Sequence, residues 1–249
     1  MRTSLLAVGL FFAVFVLCPS PSRAQVSLQV GAGGGVTLPM GDFGGSTADY
    51  YAGTKYGLST GYNVHVKGRI GIAGIKLTGE AGYSQLTNSG AGIDPNQGKV
   101  ELTQNIISVK VGPEYQFNIP LAPVKPYVGA NIAMHFFEGE TTFQGLSKVP
   151  TGTIKTEATA RFGAGVSGGA VLSMGPLLSL DVGVHYDFMN LLGKEYKDLN
   201  TTQDLRVDSY LALNDKADPA YDPANDKHIV GTSRSISALM VTATLMVGF

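Results

Sequence analysis

The final residues of the chain alternate strictly between two kinds of side chain. Counting back from Phe249, every second residue is apolar: Val247, Leu245, Ala243, Val241 and Leu239. The residues between them are small, hydroxylated or thioether-bearing: Gly248, Met246, Thr244, Thr242 and Met240. A period of two is typical of a β-strand, and one wholly apolar face suits contact with lipid. The end of the chain therefore predicts a strand that is built into a sheet facing an apolar environment.

The same alternation predicts seven further strands along the chain. We expect them at about residues 26–38, 54–67, 70–86, 100–117, 124–137, 156–172 and 177–188. The connections between strands alternate in length, short at 68–69, 118–123 and 173–176, and long at 39–53, 87–99, 138–155 and 190–232. Short turns at one end and long loops at the other are typical of outer-membrane barrels. The sequence thus predicts an all-β fold, an eight-stranded antiparallel transmembrane up-and-down β-barrel.

The beginning of the chain has the composition of a secretory leader. A basic Arg2 precedes an apolar run at residues 5–17, and small residues flank Arg23 at Ser22 and Ala24. This order is typical of a signal peptide, which we place at residues 1–24, with one barrel domain at 25–249. Cys18, the single cysteine, lies within the leader and lacks the small preceding residue of a lipid-anchor signal. The balance of 18 basic and 19 acidic residues gives no indication of a nucleic-acid partner.

Charged residues fall on the face opposite the apolar one, and this distinguishes a membrane barrel from a soluble one. A soluble barrel has a polar outside, whereas a lysine or arginine facing the bilayer midplane costs about 2–4 kcal/mol. We therefore expect a charge network in the lumen, formed by Lys76, Glu80, Lys110, Glu114, Glu157, Arg161, Asp181, His185 and Asp187. Two interpretations stay open, a filled plug and the lining of a narrow path.

These patterns together resemble the small outer-membrane β-barrel superfamily that includes the OmpA transmembrane domain, OmpX and OmpW. The terminal Val247-Gly248-Phe249 carries part of the resemblance, as does the segment from Leu38 to Phe43, which is similar to the Pro-x-Gly-Asp-Phe segment of such barrels. The resemblance implies a porin-like or structural surface protein of the bacterial outer membrane with both termini in the periplasm. It also implies contact with outer-membrane lipids and lipopolysaccharide, and recognition of the last strand by the barrel-assembly machinery.

The sequence favours a non-enzymatic role in envelope integrity or in surface recognition through the long loops, with a narrow channel for small or apolar solutes as the alternative. Some barrels of this kind deacylate lipid A, which requires a serine nucleophile beside a histidine. His185-Tyr186-Asp187 supplies a histidine and an acid but no adjacent serine. We therefore predict no catalytic residues and no cofactor.

The longest loop, 190–232, is rich in acidic residues, and four of them are a candidate binding group: Asp215, Asp218, Asp222 and Asp226. Carboxylate oxygens suit Ca²⁺, but the spacing matches no calcium loop and no Asp-x-Asp-x-Asp-Gly is present. We therefore predict no metal site, and contact with an unidentified extracellular ligand remains the hypothesis for this loop. Aromatic girdles are expected at the strand ends, with Tyr115, Phe117 and Phe249 at one rim and Tyr56, Tyr83, Phe136, Tyr186 and Phe188 at the other.

Overall fold

Eight antiparallel strands form a closed barrel in the computed structural model, each paired with its neighbours in the chain. The structure describes residues 26–72, 74–92, 98–120, 122–146, 150–195, 216 and 234–248. The strands are β1 (Ser27–Met40), β2 (Gly61–Ile72), β3 (Ile75–Ala91), β4 (Lys99–Gln116), β5 (Val124–Gln144), β6 (Gly152–Ser173), β7 (Leu178–Phe188) and β8 (Ser237–Gly248). This arrangement confirms the predicted fold class.

The ring is closed by the first and last strands, which pair from Gln29 opposite Gly248 to Met40 opposite Ser237. Closure leaves no open sheet edge at this seam, as a barrel in lipid requires. The outward face is apolar: Val66 is 58% exposed, and Leu77 and Ile132 are each 54% exposed. Phe249 and the predicted signal peptide, residues 1–24, lie outside the described residues.

The two ends of the barrel differ, and we name them by their connections. At the turn end, β2 joins β3 through residues 73–74, β4 joins β5 through 117–123, and β6 joins β7 through 174–177. At the loop end, the connections run through 41–60, 92–98, 145–151 and 189–236. The helices of the described chain are short, and none is long and apolar enough to cross a membrane.

The predicted turn at residues 68–69 is wrong. Strand β2 continues to Ile72, and Arg69 pairs with Thr78 of β3 in the middle of the ladder. A glycine followed by an arginine has the composition of a turn, but Arg69 occupies an inward strand position because Glu114 and Asp181 pair with its charge across the lumen. The inward alternation of His65, Lys67 and Arg69 continues through the site of the predicted turn.

Residues 41–58, which we call the lid, were expected to be a loop followed by the start of a strand. Instead they form a short 3₁₀ helix at Gly41–Phe43 and an α-helix, α1, at Thr47–Tyr51, and they contain no part of β2. Tyr56, expected at the outer rim, is only 5% exposed. The predicted position of Tyr56 at the rim is therefore wrong. The lid folds inward over the mouth of the barrel, so that the aromatic side chains of the lid do not face lipid.

The barrel wall is uneven in height. Strands β3 to β6 have 17 to 22 residues, whereas β1, β2, β7 and β8 have 11 to 14. The predicted long loop at 138–155 is wrong for this reason, since most of it belongs to the extended β5–β6 hairpin. The last pair between β6 and β7 joins Ala164 and Phe188, so the part of β6 nearer the loop end extends beyond the end of β7.

Candidate functional site

The interior of the barrel is organised in layers, and strand β4 passes through all of them. From the turn end to the loop end, its inward residues include Glu114, Lys110, Ile106 and Leu102, all 5% exposed or less. The first two carry charge and the last two are apolar. The interior therefore changes from ionic to apolar along the barrel axis.

The layer nearest the turn end contains two cations and two anions, which we call the turn-end cluster: Lys67, Arg69, Glu114 and Asp181. Arg69 Nη2 donates to Glu114 Oε2 at 2.8 Å and to Asp181 Oδ2 at 2.9 Å. Lys67 Nζ lies 2.7 Å from Asp181 Oδ2 and 3.8 Å from Glu114 Oε2. All four are buried, so each charge has exchanged water for opposite charges in the same layer.

The side chains around the turn-end cluster fill the space beside it. The ring of Tyr127 lies 5.1 Å from Lys67 Nζ and 5.3 Å from the guanidinium carbon of Arg69, within range of a cation–π contact. Gln116 donates to Glu114 at 2.9 Å. Lys76, predicted to belong to the charge network, is buried on the inward face and donates to Ser27. The layer is thus packed by side chains on several strands.

The second ionic layer, the central cluster, consists of Glu80, Lys110 and Asp187. Lys110 Nζ lies 2.6 Å from Asp187 Oδ2 and 3.5 Å from Glu80 Oε1. His185 is buried beside these charges, and its Nε2 lies 3.3 Å from the hydroxyl of Thr242. The structure therefore brings Lys110, Glu80 and Asp187 together, as the strand parity suggested.

Two further predicted network residues lie on β6. Arg161 is buried on the inward face of β6, opposite His135. Glu157 lies where the register between β5 and β6 shifts, so that Thr156 rather than Glu157 pairs with the inward Gly139. Glu157 is the extra residue of this bulge and is partly buried, and the alternation of inward and outward residues changes phase there.

Lys67 and Arg69 are not among the predicted site residues, although they supply both cations of the turn-end cluster. The predicted strand ends at Lys67, and the predicted turn includes Arg69. The signal that finds them is the continued alternation with His65, because all three are inward and the intervening Val66 is exposed.

The layer at the loop end is the apolar cap, to which the lid contributes its aromatic side chains. Its buried residues are Phe43, Tyr50, Tyr51, Tyr56, Leu58, Leu86, Val100, Leu102, Ile106, Phe137, Phe143, Leu146, Met189, Ile236 and Ala238. The ring of Phe43 packs edge to face on Tyr56 at 5.8 Å and on Phe137 at 6.2 Å between centroids. The lid is therefore seated on the inner wall of β5.

Polar contacts fasten the lid from both sides. The guanidinium carbon of Arg234 lies 4.2 Å from the centroid of Tyr56, and Asp42 Oδ2 accepts from the backbone N–H of Ser235 at 2.9 Å. The Tyr50 hydroxyl is 3.0 Å from the hydroxyl of Thr141, and burial raises the pKa of Tyr50 above its usual range. The lid is thus attached both to β5 and to the segment that leads into β8.

A capping box starts α1 within the lid. Asp49 accepts from the backbone N–H of Ser46 at 2.9 Å, and the Ser46 hydroxyl accepts from the backbone N–H of Asp49 at 3.1 Å. The Ser46 hydroxyl also donates to Asp49 Oδ2 at 2.7 Å, and the hydrogen bonds that Ser46 donates from its backbone N–H and its hydroxyl lower the pKa of the Asp49 carboxyl below its usual 3.8. A one-turn helix this short depends on such a cap.

A cavity of about 20 Å³ lies between the two ionic clusters, lined by Lys67, Glu80, Lys110, Glu114 and His185 among others. A cavity needs about 10–15 Å³ of this kind of volume to hold one water molecule. The space at this level therefore admits about one water, and not a file of hydrated solutes.

The interior contains a serine–histidine pair that the sequence analysis did not identify. Ser108 Oγ lies 2.8 Å from His135 Nδ1, which is the contact that an activated nucleophile requires. His135 is 0% exposed and Ser108 is buried behind the barrel wall. The barrel wall and the apolar cap separate this pair from lipid in the closed structure.

In the part of the chain that the structure describes, no group of three His, Cys, Asp or Glu side chains is arranged to hold a metal ion. The four loop residues proposed as a binding group, Asp215, Asp218, Asp222 and Asp226, lie outside the described residues.

Solved structures with a related fold are outer-membrane barrels. A major outer membrane protein from Thermus thermophilus is 15% identical over 90% of this chain and 100% of its own, with a TM-score of 0.50. Neisserial surface protein A is 15% identical over 92% and 100%, with a TM-score of 0.46. Ail, the attachment invasion locus protein of Yersinia pestis, is 12% identical over 92% and 100%, with a TM-score of 0.40. At these identities the likeness concerns the fold alone.

A search of curated proteins finds no match. The family model described as the outer membrane protein beta-barrel domain matches residues 10–209, most of the chain, and spans β1 to β7. Together with the closed ring and its apolar outer face, this match places the protein in the bacterial outer membrane. The chain belongs to the outer membrane protein beta-barrel domain family.

Proposed function

We propose that the protein is a sealed, non-enzymatic outer-membrane barrel that acts in envelope integrity or surface recognition through its loop end. The observation that carries this proposal is the layered interior, in which two ion clusters lie beneath an apolar cap. Conduction by a barrel of eight strands requires side chains to leave its axis, because the interior is just wide enough for them to fill. Here those side chains are held by opposite charges and by the lid.

The same proposal includes the orientation and the partners of the barrel. Long loops outside the cell and short turns inside are the arrangement of bacterial outer-membrane barrels, so we place the loop end outside and both termini in the periplasm. The apolar outer face suits outer-membrane lipids and lipopolysaccharide. The last strand, ending at Phe249, would be the element that the barrel-assembly machinery recognises.

Conductance in planar bilayers tests the proposal, because a plugged barrel carries no steady current whereas an open channel does. We expect the wild-type barrel to give no steady single-channel steps. Arg69→Ala alone is expected to stay silent because the apolar cap remains, and replacing the lid by a short Gly-Ser linker alone is expected to stay silent because the ion clusters remain. Only the combination should conduct steadily.

Steady steps from the wild-type barrel, with an ion selectivity altered by Arg69→Glu or a conductance abolished by Arg161→Ala, would contradict the sealed barrel and support the narrow channel. Circular dichroism of each variant in the same lipid must first show an intact β-fold, so that a leak from misfolded protein is not counted as conduction.

A further inference from the structure

The outer surface of the barrel has a groove of about 350 Å³ across β3, β4, β5 and β6. Its lower edge is a row of residues paired across the sheet, Tyr83 with Ile107, Ile107 with Phe136, and Phe136 with Ala160. Ile107 and Phe136 are about half exposed. This row is continuous with the apolar belt that faces the membrane.

The row above it is polar. Gln85 pairs with Asn105, and Asn105 pairs with Glu138, all on the outward face. The Asn105 side-chain oxygen accepts from the Tyr83 hydroxyl at 2.8 Å and from Gln85 Nε2 at 3.0 Å. These two hydrogen bonds use the amide oxygen of Asn105. The NH2 group of the same amide remains as the donor that this side chain can offer to a ligand. The groove thus spans the boundary between the apolar belt and the polar surface beyond it.

The β-bulge gives the groove its depth. The register shift between Phe137 and Gly139 leaves Glu138 without a paired residue on β6, and Glu138 lines the groove together with Ala158 and Ala160. Because these two alanine side chains are small, they leave space between the larger side chains of Tyr83 and Phe136, which also line the groove. Among the described residues, no ion pair or side-chain hydrogen bond engages the exposed Glu138 carboxylate, which is therefore available as an acceptor.

We propose that this groove binds a membrane amphiphile with a sugar-type head group. The acyl chain would lie on the row from Tyr83 to Ala160, and hydroxyl or amide groups of the head would donate to Glu138 and accept from Asn105. A carboxylate disfavours a phosphate head by like charge. Lys194 donates to Thr159 beside the same groove, at 3.2 Å, and an anionic lipid is therefore the competing ligand in the test.

The absence of tryptophan from the sequence allows a site-specific reporter to be introduced. Phe136→Trp places one indole at the groove, and Phe188→Trp places one at the outer end of β7, where the aromatic ring is also half exposed. Each variant is reconstituted in phosphatidylcholine vesicles containing increasing fractions of a glycosyl diacylglycerol with brominated acyl chains, which quench indole fluorescence on contact. Brominated phosphatidylcholine and phosphatidylglycerol serve as the comparison lipids.

We expect quenching of the Phe136→Trp reporter to be half-maximal at a fraction of glycolipid about fivefold lower than that of either phospholipid. This is the ratio of affinities that one net hydrogen bond gives. The Phe188→Trp reporter should respond equally to all three lipids. Adding Glu138→Gln to the groove reporter should reduce the glycolipid preference.

A larger side chain inside the groove distinguishes lipid binding in the groove from lipid contact with the apolar belt as a whole. Ala160→Leu in the Phe136→Trp background is expected to abolish the preference, whereas Ala164→Leu, on the same outward face of β6 but outside the groove, should preserve it. Equal quenching by all lipids at the groove, or preference for phosphatidylglycerol, would overturn the proposal. The inference rests on the membrane location and not on the sealed lumen, so its failure and that of the conductance experiment are distinguishable.

Discussion

Arg69 shows how a membrane barrel accommodates a charge. Its side chain is 1% exposed, yet its guanidinium donates to two carboxylates on different strands and also reaches Gln29 at 3.4 Å. A planar donor of this kind joins β1, β2, β4 and β7 across the lumen. Its contacts with Glu114 and Asp181 connect β2 to β4 and β7, two strands with which β2 has no backbone pairing.

Arg69→Leu is expected to lower the free energy of unfolding by about 3–5 kcal/mol, because Glu114 and Asp181 then share Lys67 alone. Adding Glu114→Leu restores the charge balance, so the double variant should lose less than the sum of the two single variants. Urea unfolding in lipid vesicles, followed by circular dichroism, measures both. Lys99→Leu is the control, since its exposed pair with Glu101 is worth at most about 1 kcal/mol.

Gly165 leaves room for the Asp187 side chain of the central cluster. A Cβ at this position would lie 2.1 Å from Asp187 Oδ1 and 3.0 Å from the backbone oxygen of Tyr186, and Asp187 is held in place by Lys110. We expect Gly165→Ala to destabilise the barrel by about 1–3 kcal/mol. Gly79→Ala, where a Cβ meets nothing within 4 Å, should change the urea midpoint little; equal losses would contradict the packing argument.

At the scale of elements, the lid is the structure that distinguishes this barrel from a plain ring of strands. Its two short helices are too small to be stable alone, and they gain stability from the ring contacts of Phe43 and from the Arg234–Tyr56 contact. The capping box between Ser46 and Asp49 is its main local polar feature. The lid is therefore expected to respond to pH through Asp49.

Because the folded-state pKa of Asp49 lies below 3.8, its ionised form stabilises α1 above that pH, and the stabilisation is lost as the pH falls through the lowered value. We expect amide hydrogen-exchange protection in α1, corrected for intrinsic rates, to decrease below about pH 3.8. In Asp49→Asn the protection should be lower at neutral pH and should not change with pH. Constant wild-type protection across this range would show that the cap does not support the helix.

The elements that could be predicted from the sequence are those in which alternation is uninterrupted. Strands β4, β7 and β8 lie within a few residues of their predicted ranges because apolar and polar residues alternate along them without a break. Strand β2 was misplaced because Tyr56 and Leu58 continue the apolar pattern while belonging to the lid. An alternating apolar pattern indicates that one set of side chains lies in apolar surroundings. It does not show whether those surroundings are lipid or the buried contacts of a folded lid.

The candidate site was predictable to the same degree. The parity of β4 and β7 put Lys110, Glu114, Asp181 and Asp187 on one inward face. Their division into two clusters depends on strand tilt and stagger, which a single sequence does not contain. The bulge at Glu157 was not predictable, because the extra residue that a bulge adds has no characteristic composition.

At the scale of the molecule, the tall wall of β3 to β6 and the low wall of β7, β8, β1 and β2 make the loop end asymmetric. The outer part of β6 extends beyond β7 on the side where the longest loop begins, and Leu191 donates its backbone N–H to Phe162 there. A molecule that approaches the loop end therefore meets a raised sheet on one side and the fastened lid at the centre.

The proposed orientation predicts which segments are accessible on intact cells. An epitope inserted between Gly145 and Thr151 should bind antibody on intact cells, because this connection is at the loop end. The same epitope in the turn between Met174 and Leu177 should bind only after the envelope is permeabilised. The reverse pattern would place the termini outside.

The seam between β1 and β8 has a consequence for how the protein is made. The two strands that pair there are separated by the six strands β2 to β7, so the ring cannot close until β8 has been synthesised. Every earlier species has two unpaired edges, and such edges invite association between chains. Formation of this long-range contact is also intrinsically slow. A chain that lacks its last strand, β8, should therefore accumulate as aggregates, and should not form a narrower barrel of the remaining strands.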